Sequence, residues 1–490
     1  MSILVVDVGS SAVRASVFRP DGTVAARQVA AFGTERPYPG LVELDARQVA
    51  DAALGAARAC LGEAGPVEGV GVTNQRGTTV LWDAATGEPV GPALSWQDLR
   101  TAGTCLELQG EGLRLAPNES ATKLAWLLDN FDPDRHRDLR FGTVDTWVAW
   151  VLTEGRAHVT DLSNAAVSGL LPTEDVLAGR ADIAWSTSRL ERLRVPERCL
   201  PRIVGSSEVV AEATALDGAP PLCALVGDQQ ASLMGQGCVR DGDAKATFGT
   251  GAFLDVNIGQ GPPAFGLSSR RGPQGCMPVV AWGLRGELTW GVEALMLSAG
   301  AALQWLSHDL GMLGSPAESA EVAAQCEDTD DVHFVPALIG VGTPHWDFGA
   351  RSMFIGMTTG TGRPQMVRAV LRGVAQRGAD LLAAAEADSG RHVGVLRVDG
   401  GMTANPVFLQ ELADACQIPL HVSAELEATS AGAAYLAGMA TGTWSGYDDI
   451  LAVVRPRRVV GPGPRDHRER WQEAVSRSLQ WYPELTALQF

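Results

Sequence analysis

Basic residues are scarce in this chain of 490 residues: 39 lysines and arginines stand against 57 acids, for a formal net charge of −18. Such a surface repels polyanions, which argues against nucleic acid as a partner, and any small anion bound must meet a locally positive pocket. Cysteine is sparse and scattered. The eight residues, Cys60, Cys105, Cys199, Cys223, Cys238, Cys276, Cys326 and Cys416, form no C-x-x-C pair and stand beside no histidine cluster. Reduced, buried thiols are expected rather than disulfides or structural zinc. No apolar run approaches the roughly 18 residues of a membrane span, and no basic leader precedes Ile3, so a cytoplasmic chain without a membrane partner is expected. Low-complexity tracts are missing too, and 46% hydrophobic residues with a mean hydropathy of +0.04 exclude general disorder. The length implies two domains of about 240 residues each.

Also missing is the glycine loop that opens a helix in P-loop and dinucleotide-binding proteins. The N-terminus instead runs ILVV, then Asp7-Val8-Gly9-Ser10-Ser11, then VRASVF, then the turn Pro20-Asp21-Gly22 and TVAARQVA. That is a β-meander whose first turn carries a carboxylate, a glycine and two hydroxyls and leads into another strand. A phosphate-gripping hairpin opened by an acid is the arrangement of the actin, hexokinase and heat-shock ATPase superfamily, although a plain hairpin reads the same way in isolation.

The centre of the chain is the stretch from Gly227 to Leu254. The apolar run Leu222 to Val226 reads as a buried strand, and Asp228 follows it on a turn with Gln229 and Gln230. Gly249-Thr250-Gly251 then lies between two β-like runs, Ala246 to Phe248 and Ala252 to Val256. Such a turn offers backbone N–H groups and a hydroxyl without Cβ obstruction, which suits a phosphate. Each piece alone is compatible with an ordinary hairpin; together with the N-terminal turn they read as a phosphoryl-transfer centre. Lys245 to Ile258 also echoes residues 3 to 18, which points to an internal duplication.

Other elements frame that centre. Asp45 is a helix cap for a segment reaching Leu61 with Val49, Ala53 and Ala57 on one face. Val67 to Thr73 reads as a buried strand ending in Asn74-Gln75-Arg76-Gly77, and Ser95-Trp96-Gln97-Asp98 follows another turn. Residues 120 to 131 form an amphipathic helix capped by Ser120. Phe141 to Trp150 and Thr160 to Ala165 read as an outer helical layer, and residues 190 to 220 as a surface connector. A long helix is expected from Val292 to Asp309, another from Pro364 to Asp388, and a small-residue helix from Ser430 to Met439. Leu396-Arg397-Val398 runs into Asp399-Gly400-Gly401 and then a helix, a good place for a nucleotide. Beyond Trp444 the chain reads as a basic tail helix.

Taken together, DVGSS, NQRGTTVLWD, FGTVDTW, GDQQASLMGQG, FGTGAF, AGAALQWL and RVDGGMTAN resemble the FGGY carbohydrate kinases, most closely the glycerol kinases, in register over nearly the whole chain. The resemblance implies an α/β fold of two actin-like (ribonuclease H-like) ATPase domains facing each other across a cleft. Residues 1–236 would hold mainly the substrate and 237–490 mainly ATP. It implies Asp228 as general base, Asp7 as holder of Mg2+ through water, and Gly9, Ser10, Ser11 and Arg14 facing the phosphates. Gly249 and Thr250 would grip the transferring end of ATP, with Gly300, Gln304, Gly401 and Asn405 lining the nucleotide site. Arg76, Trp96, Asp228, Gln229 and Phe253 would hold a small polyol or sugar. A homodimer or homotetramer is compatible with the family. A filament or chaperone ATPase fits these motifs poorly, and retention of Asp7 and Asp228 counts against a non-catalytic sugar sensor.

Two positions depart from the glycerol kinase pattern. Gly77 stands where a glutamate follows the arginine of the NQR motif, and Asn118 stands in place of a tyrosine. Loss of both groups predicts a roomier pocket, suited to a longer polyol or ketose, unless Glu119 fills the gap.

Overall fold

The computed structural model describes residues 2–172, 183–265, 271–424, 427–464 and 467–488. Two large sheets dominate. In the first, β1 (Ile3–Val8), β2 (Ala12–Phe18), β3 (Val24–Ala31), β4 (Gly69–Asn74), β5 (Ser207–Glu212) and β6 (Pro221–Gly227) take the order β5-β6-β4-β1-β2-β3. β1, β4 and β6 are parallel to one another, and β2, β3 and β5 pair antiparallel. All six residues of β1 and of β4 are buried, because helices cover both faces of this sheet.

The second sheet comprises β7 (Ala244–Phe248), β8 (Ala252–Gly259), β9 (Met277–Leu284), β10 (Glu287–Met296), β11 (Leu396–Asp399), β12 (Leu420–Ser423) and β13 (Pro456–Val460), ordered β9-β10-β8-β7-β11-β12-β13. Strand for strand, β7, β8, β10, β11, β12 and β13 repeat β1, β2, β3, β4, β6 and β5 in order and direction, with β9 added at the edge. The duplication expected from the recurring strand, glycine turn and strand is therefore present in the topology. A smaller sheet of Thr34–Glu35, Glu43–Leu44, Thr79–Asp83, Ala93–Leu94 and Leu139–Thr143 carries the loops beside Arg76.

Helix α1 (Ala46–Ala64) covers one face of the first sheet. Asp45 accepts from Arg47 N at 2.9 Å to start it, and Val49, Ala53, Ala57 and Leu61 are buried, as their spacing predicts. Each of its larger apolar side chains contributes about 1.5–3 kcal/mol on full burial. The next helices that matter for the site are α2 (Ser120–Phe131), α3 (Asp228–Gly235), α4 (Gly300–His308), α5 (Arg363–Ser389), α6 (Pro406–Cys416) and α7 (Ala428–Thr441). α5 packs against β8, β10 and α6 in the second core.

The helices are exchanged between the halves. α7, from the second half of the chain, lies on β1, β4 and β6, whereas α3, which follows β6, reaches β7, β8 and β9. The two cross at a backbone-to-backbone contact: a Cβ on Gly235 would lie 1.9 Å from the Ala428 carbonyl oxygen, and one on Gly432 would lie 1.8 Å from that of Ala231.

Several sequence expectations are corrected. Asp228 opens a helix rather than sitting on a turn, and the run from Val292 is the end of strand β10, with α4 beginning only at Gly300. Glu287–Met296 is a strand paired on both sides, so its middle residues Trp290–Ala294 are continuously buried and show no alternation to mark a strand in the sequence. Residues 190–220 supply strand β5, and the tail beyond Trp444 supplies β13 between two helices; both are edge strands whose polar, exposed residues disguise them. Ser120 is the first helical residue of α2, and Glu119 occupies the N-cap. All eight cysteines are free, and six are buried. Among the described residues no helix is long and apolar enough to cross a membrane.

Candidate active site

Asp7 sits near the end of β1 and is only 5% exposed. Its register partner on β2 is Arg14, whose Nη1 lies 4.0 Å from Asp7 Oδ2, and Ser430 at the start of α7 donates to the same oxygen at 3.1 Å. Burial lifts the Asp7 carboxyl to about 7 even though Arg14 and Ser430 pull it down, and the charges of Asp228 and Glu427 push in the same upward direction. The turn itself is tight, with Gly9 N–H donating to Ala12 O at 3.0 Å, and it leaves Ser10 and Ser11 exposed.

Asp228 is placed by the end of β6. Its predecessor Gly227 donates its N–H to Ser163 Oγ at 2.9 Å. That hydroxyl belongs to a buried network in which Asp161 accepts from Ser163, Asn164 and Ser206, while Asn164 and Asn74 exchange amide hydrogen bonds at 3.1 Å. The outer helical layer expected around Thr160 is thus a short strand, Val159–Asp161, followed by a five-residue helix, Leu162–Ala166, and together they tie the ends of β4 and β6. Burial raises the Asp228 carboxyl, opposed first by Arg76. Because its side chain is still 32% exposed to the cleft, that rise is tempered by solvent.

Arg76 bridges the halves. Its Nε lies 3.5 Å from Asp228 Oδ1, its Nη2 donates to Glu293 Oε2 of β10 at 2.7 Å, and its guanidinium carbon is 6.0 Å from the centroid of the Phe253 ring. Burial pushes Glu293 up to about 7 against the pull of Arg76. Beneath Gln229, the fully buried Lys245 of β7 pairs with Asp255 of β8 at 2.7 Å and donates to Gln229 Oε1 at 2.6 Å. Arg76, Asp228, Gln229 and Phe253 are therefore gathered in one place.

Trp96 is half-buried beside them, its N–H on Thr78 Oγ1 at 3.1 Å and its Cβ against Gly77. Gly77 has φ +72°, and a Cβ there would fall 2.3 Å from the Asn118 carbonyl oxygen. Buried Lys123 of α2 clamps this approach, donating to Gly77 O and Asn118 O at 3.3 Å each. Backbone therefore occupies the space into which a side chain on Gly77 would project. Glu119 turns to the Ala116 N–H, with an oxygen 2.9 Å from the Cβ position of Gly169, and the Asn118 residue is exposed.

On the other side, Gly249 and Thr250 are exposed in a turn closed by Gly249 N–H on Gly251 O at 2.9 Å. The start of α4 braces it, with Ala299 and Gly300 N–H groups on Thr250 O and Gly249 O at 2.9 and 2.8 Å. Gln304 is exposed one turn along α4, and exposed Gly401 follows Gly400, which packs on the Phe248 backbone. Asn405 is the N-cap of α6: its Oδ1 accepts from Val407 and Phe408 N–H, and its Nδ2 donates to Ser319 Oγ, so its amide is engaged in holding that helix.

Lys245, Asp255 and Glu293 were given no role by the sequence reading, and Asp399 only a place in the DGG segment. Their signal was available: each is a charge inside or ending a short apolar strand, where an unpaired ion is costly. Asp399 accepts from Ser232 Oγ at 3.3 Å, and its Oδ1 is a buried acceptor without a partner. For a cation, Asp7 and Asp228 offer hard oxygen ligands and feel each other's charge, which fits Mg2+. A surface cavity of about 710 Å³ lined by Cys326, Asp328, His333, Arg372 and His467 shares none of these residues.

Comparison with known proteins gives a consistent picture. Residues 2–235 match the N-terminal domain, and residues 244–441 the C-terminal domain, of the FGGY family of carbohydrate kinases. The chain is 39% identical to a glycerol kinase of Dechloromonas aromatica, covering 98% of each chain, and 38% identical to glycerol kinase 2 of Thermotoga maritima, covering 98% of this chain and 99% of that one. In structure it is similar to a Plasmodium falciparum glycerol kinase crystallised with ADP, at a TM-score of 0.87 and 26% identity, covering 100% and 99% of the two chains.

Proposed function

The chain belongs to the FGGY family of carbohydrate kinases and adopts their two actin-like domains, and from that premise we propose that it transfers the γ-phosphoryl group of ATP to a hydroxyl of a short polyol, with glycerol the first candidate. The observation that carries this reading is Asp228, an acid at the head of α3 that opens to the cleft between Arg76 and Gln229.

In the reaction, Asp228 accepts the proton of the substrate hydroxyl while that oxygen bonds to the γ-phosphorus. The bond from phosphorus to the β–γ bridging oxygen breaks, and ADP leaves with the electron pair. Arg76 keeps the Asp228 carboxylate available and shares the pocket wall with Phe253 and Trp96. Gly9, Ser10, Ser11 and Arg14 on one side, and Gly249 and Thr250 on the other, are proposed to meet the phosphates. Gly300, Gln304 and Gly401 line the nucleotide side, with Asn405 supporting it as a helix cap. Asp7 would hold Mg2+ through water, and that ion supplies charge neutralisation of the transferring phosphoryl group. Such catalysis depends on positioning and on excluding water, which a division into a substrate half (1–236) and a nucleotide half (237–490) around a cleft allows. Free cysteines throughout support a cytoplasmic location.

The Gly77 contact favours a short substrate over a longer polyol or ketose, since backbone and not empty volume stands where the glutamate is missing. The test is ATP-dependent turnover over glycerol, tetritols, pentitols and ketoses. Glycerol is expected to give the highest kcat/KM; a pentitol or ketose favoured over it would overturn the choice of substrate, and no turnover on any member would overturn the kinase reading.

A further inference from the structure

One buried cation touches the side-chain amide of Gln229, the residue next to Asp228. Lys245, 0% exposed, lies opposite Asp255 in the β7–β8 register, with Nζ 2.7 Å from Oδ2 in a buried ion pair. Its hydrogen bonds go to Gln229 Oε1 at 2.6 Å and Thr247 Oγ1 at 3.2 Å. An ammonium has three donors and no acceptor. The Gln229 amide must therefore turn its oxygen to Lys245, because the opposite orientation would set donor against donor next to a buried charge. Gln229 is the second residue of α3, beside Asp228, and is half-buried. Among the described residues its Nε2 has no hydrogen-bond partner, so its two N–H donors are unengaged.

We propose that Lys245, balanced by Asp255, is a positioning residue that locks Gln229 as a hydrogen-bond donor, so that the hydroxyl next to the reacting one is recognised as an acceptor. The inference rests on the polyol kinase reading and deepens it. Asp228 and Gln229 then present opposite polarities side by side: the carboxylate takes a proton from one hydroxyl, and the amide gives a hydrogen bond to its neighbour. This pair reads a vicinal diol. A substrate with an ammonium at the second carbon has no lone pair to offer and meets Gln229 donor to donor, whereas fluorine there keeps a weak acceptor of similar size.

Three probes separate these cases: glycerol, 2-fluoropropane-1,3-diol and 2-aminopropane-1,3-diol at neutral pH. The parent is expected to favour glycerol over the amine by about 100-fold or more in kcat/KM, with the fluoro compound between them, since a site built for one polarity rejects the other strongly. Because Lys245→Met alone leaves Asp255 buried and unpaired, the paired variant Lys245→Met/Asp255→Leu removes both charges. In it the amide turns freely: the KM for glycerol rises about tenfold, the KM for ATP stays, and discrimination against the amine falls below about tenfold. Gln229→Glu keeps one oxygen for Lys245, turns the other to the cleft, and shifts preference toward the amine. A folded double variant that still binds ATP and keeps the parent's discrimination overturns the proposal. A parent that phosphorylates none of the polyols overturns the kinase reading and this inference with it, an outcome distinct from the first.

Discussion

Replacing Gly77 tests whether backbone, rather than empty space, borders the substrate. Two independent costs follow from the structure. Gly77 has φ +72°, a conformation that costs a residue with a side chain about 1–2 kcal/mol. A new Cβ would also fall 2.3 Å from Asn118 O, where contacts under 3.0 Å are essentially never seen, so the loop before α2 must move. Such overpacking costs about 1–3 kcal/mol. Gly77→Ala should therefore lose about 2–5 kcal/mol, a large part of the stability of an ordinary domain. Moving that loop also separates the two carbonyls that Lys123 holds at 3.3 Å each and displaces the chain next to Trp96. Urea unfolding followed by fluorescence measures the first effect, and steady-state kinetics should show a raised polyol KM with ATP binding nearly unchanged. Gly77→Glu with Asn118→Tyr, which makes the sequence more like a glycerol kinase, should for the same reason impair glycerol turnover. Stability within about 0.5 kcal/mol of the parent, or improved glycerol kcat/KM in the double replacement, would refute the reasoning.

Three further outcomes are expected. Asp228→Asn should lower kcat by about 10²- to 10⁴-fold with ATP affinity retained, and turnover within about threefold of the parent removes Asp228 from the role of base. Gly432→Ala forces a methyl to within 1.8 Å of the Ala231 carbonyl, so it should spread α3 from α7, cost at least about 1–3 kcal/mol and lower kcat by shifting Asp228 against Asp7; an unchanged melting temperature argues that the crossing is loose. Asp7, Glu293 and Asp145, the last fully buried in the first turn of the helix Val144–Leu152, are all lifted by burial to about 7, so the folded chain holds more protons than the unfolded one between their ordinary values and about 7. Their contribution to stability is then fully present below about pH 4 and lost as pH rises through about 7. The nucleotide-free protein should accordingly resist urea better at pH 5.5 than at pH 8, Asp7→Asn should flatten that slope, and a profile rising across this window contradicts the assignment.

Local motifs carried most of the chemistry. The acid ending β1, the Gly249 turn, the DGG segment and the capped helix at Asp45 depend on neighbours in sequence, on strand alternation and on turn-compatible residues, so they are legible without coordinates. The repeat of Lys245 to Ile258 on residues 3 to 18 likewise announced two related sheets, because strand and turn patterns survive duplication. Tertiary structure decided what depends on register and on contacts between distant segments. Only strand pairing brings Lys245 opposite Asp255 and Asp255 opposite Glu293, and only the exchange of α3 and α7 brings Ser430 to Asp7. Only the approach of the Asn118 carbonyl shows that backbone stands where a Cβ on Gly77 would lie. Composition and periodicity report the environment that a residue prefers, but which partner fills that environment is settled by the close packing of chain segments that lie far apart in sequence.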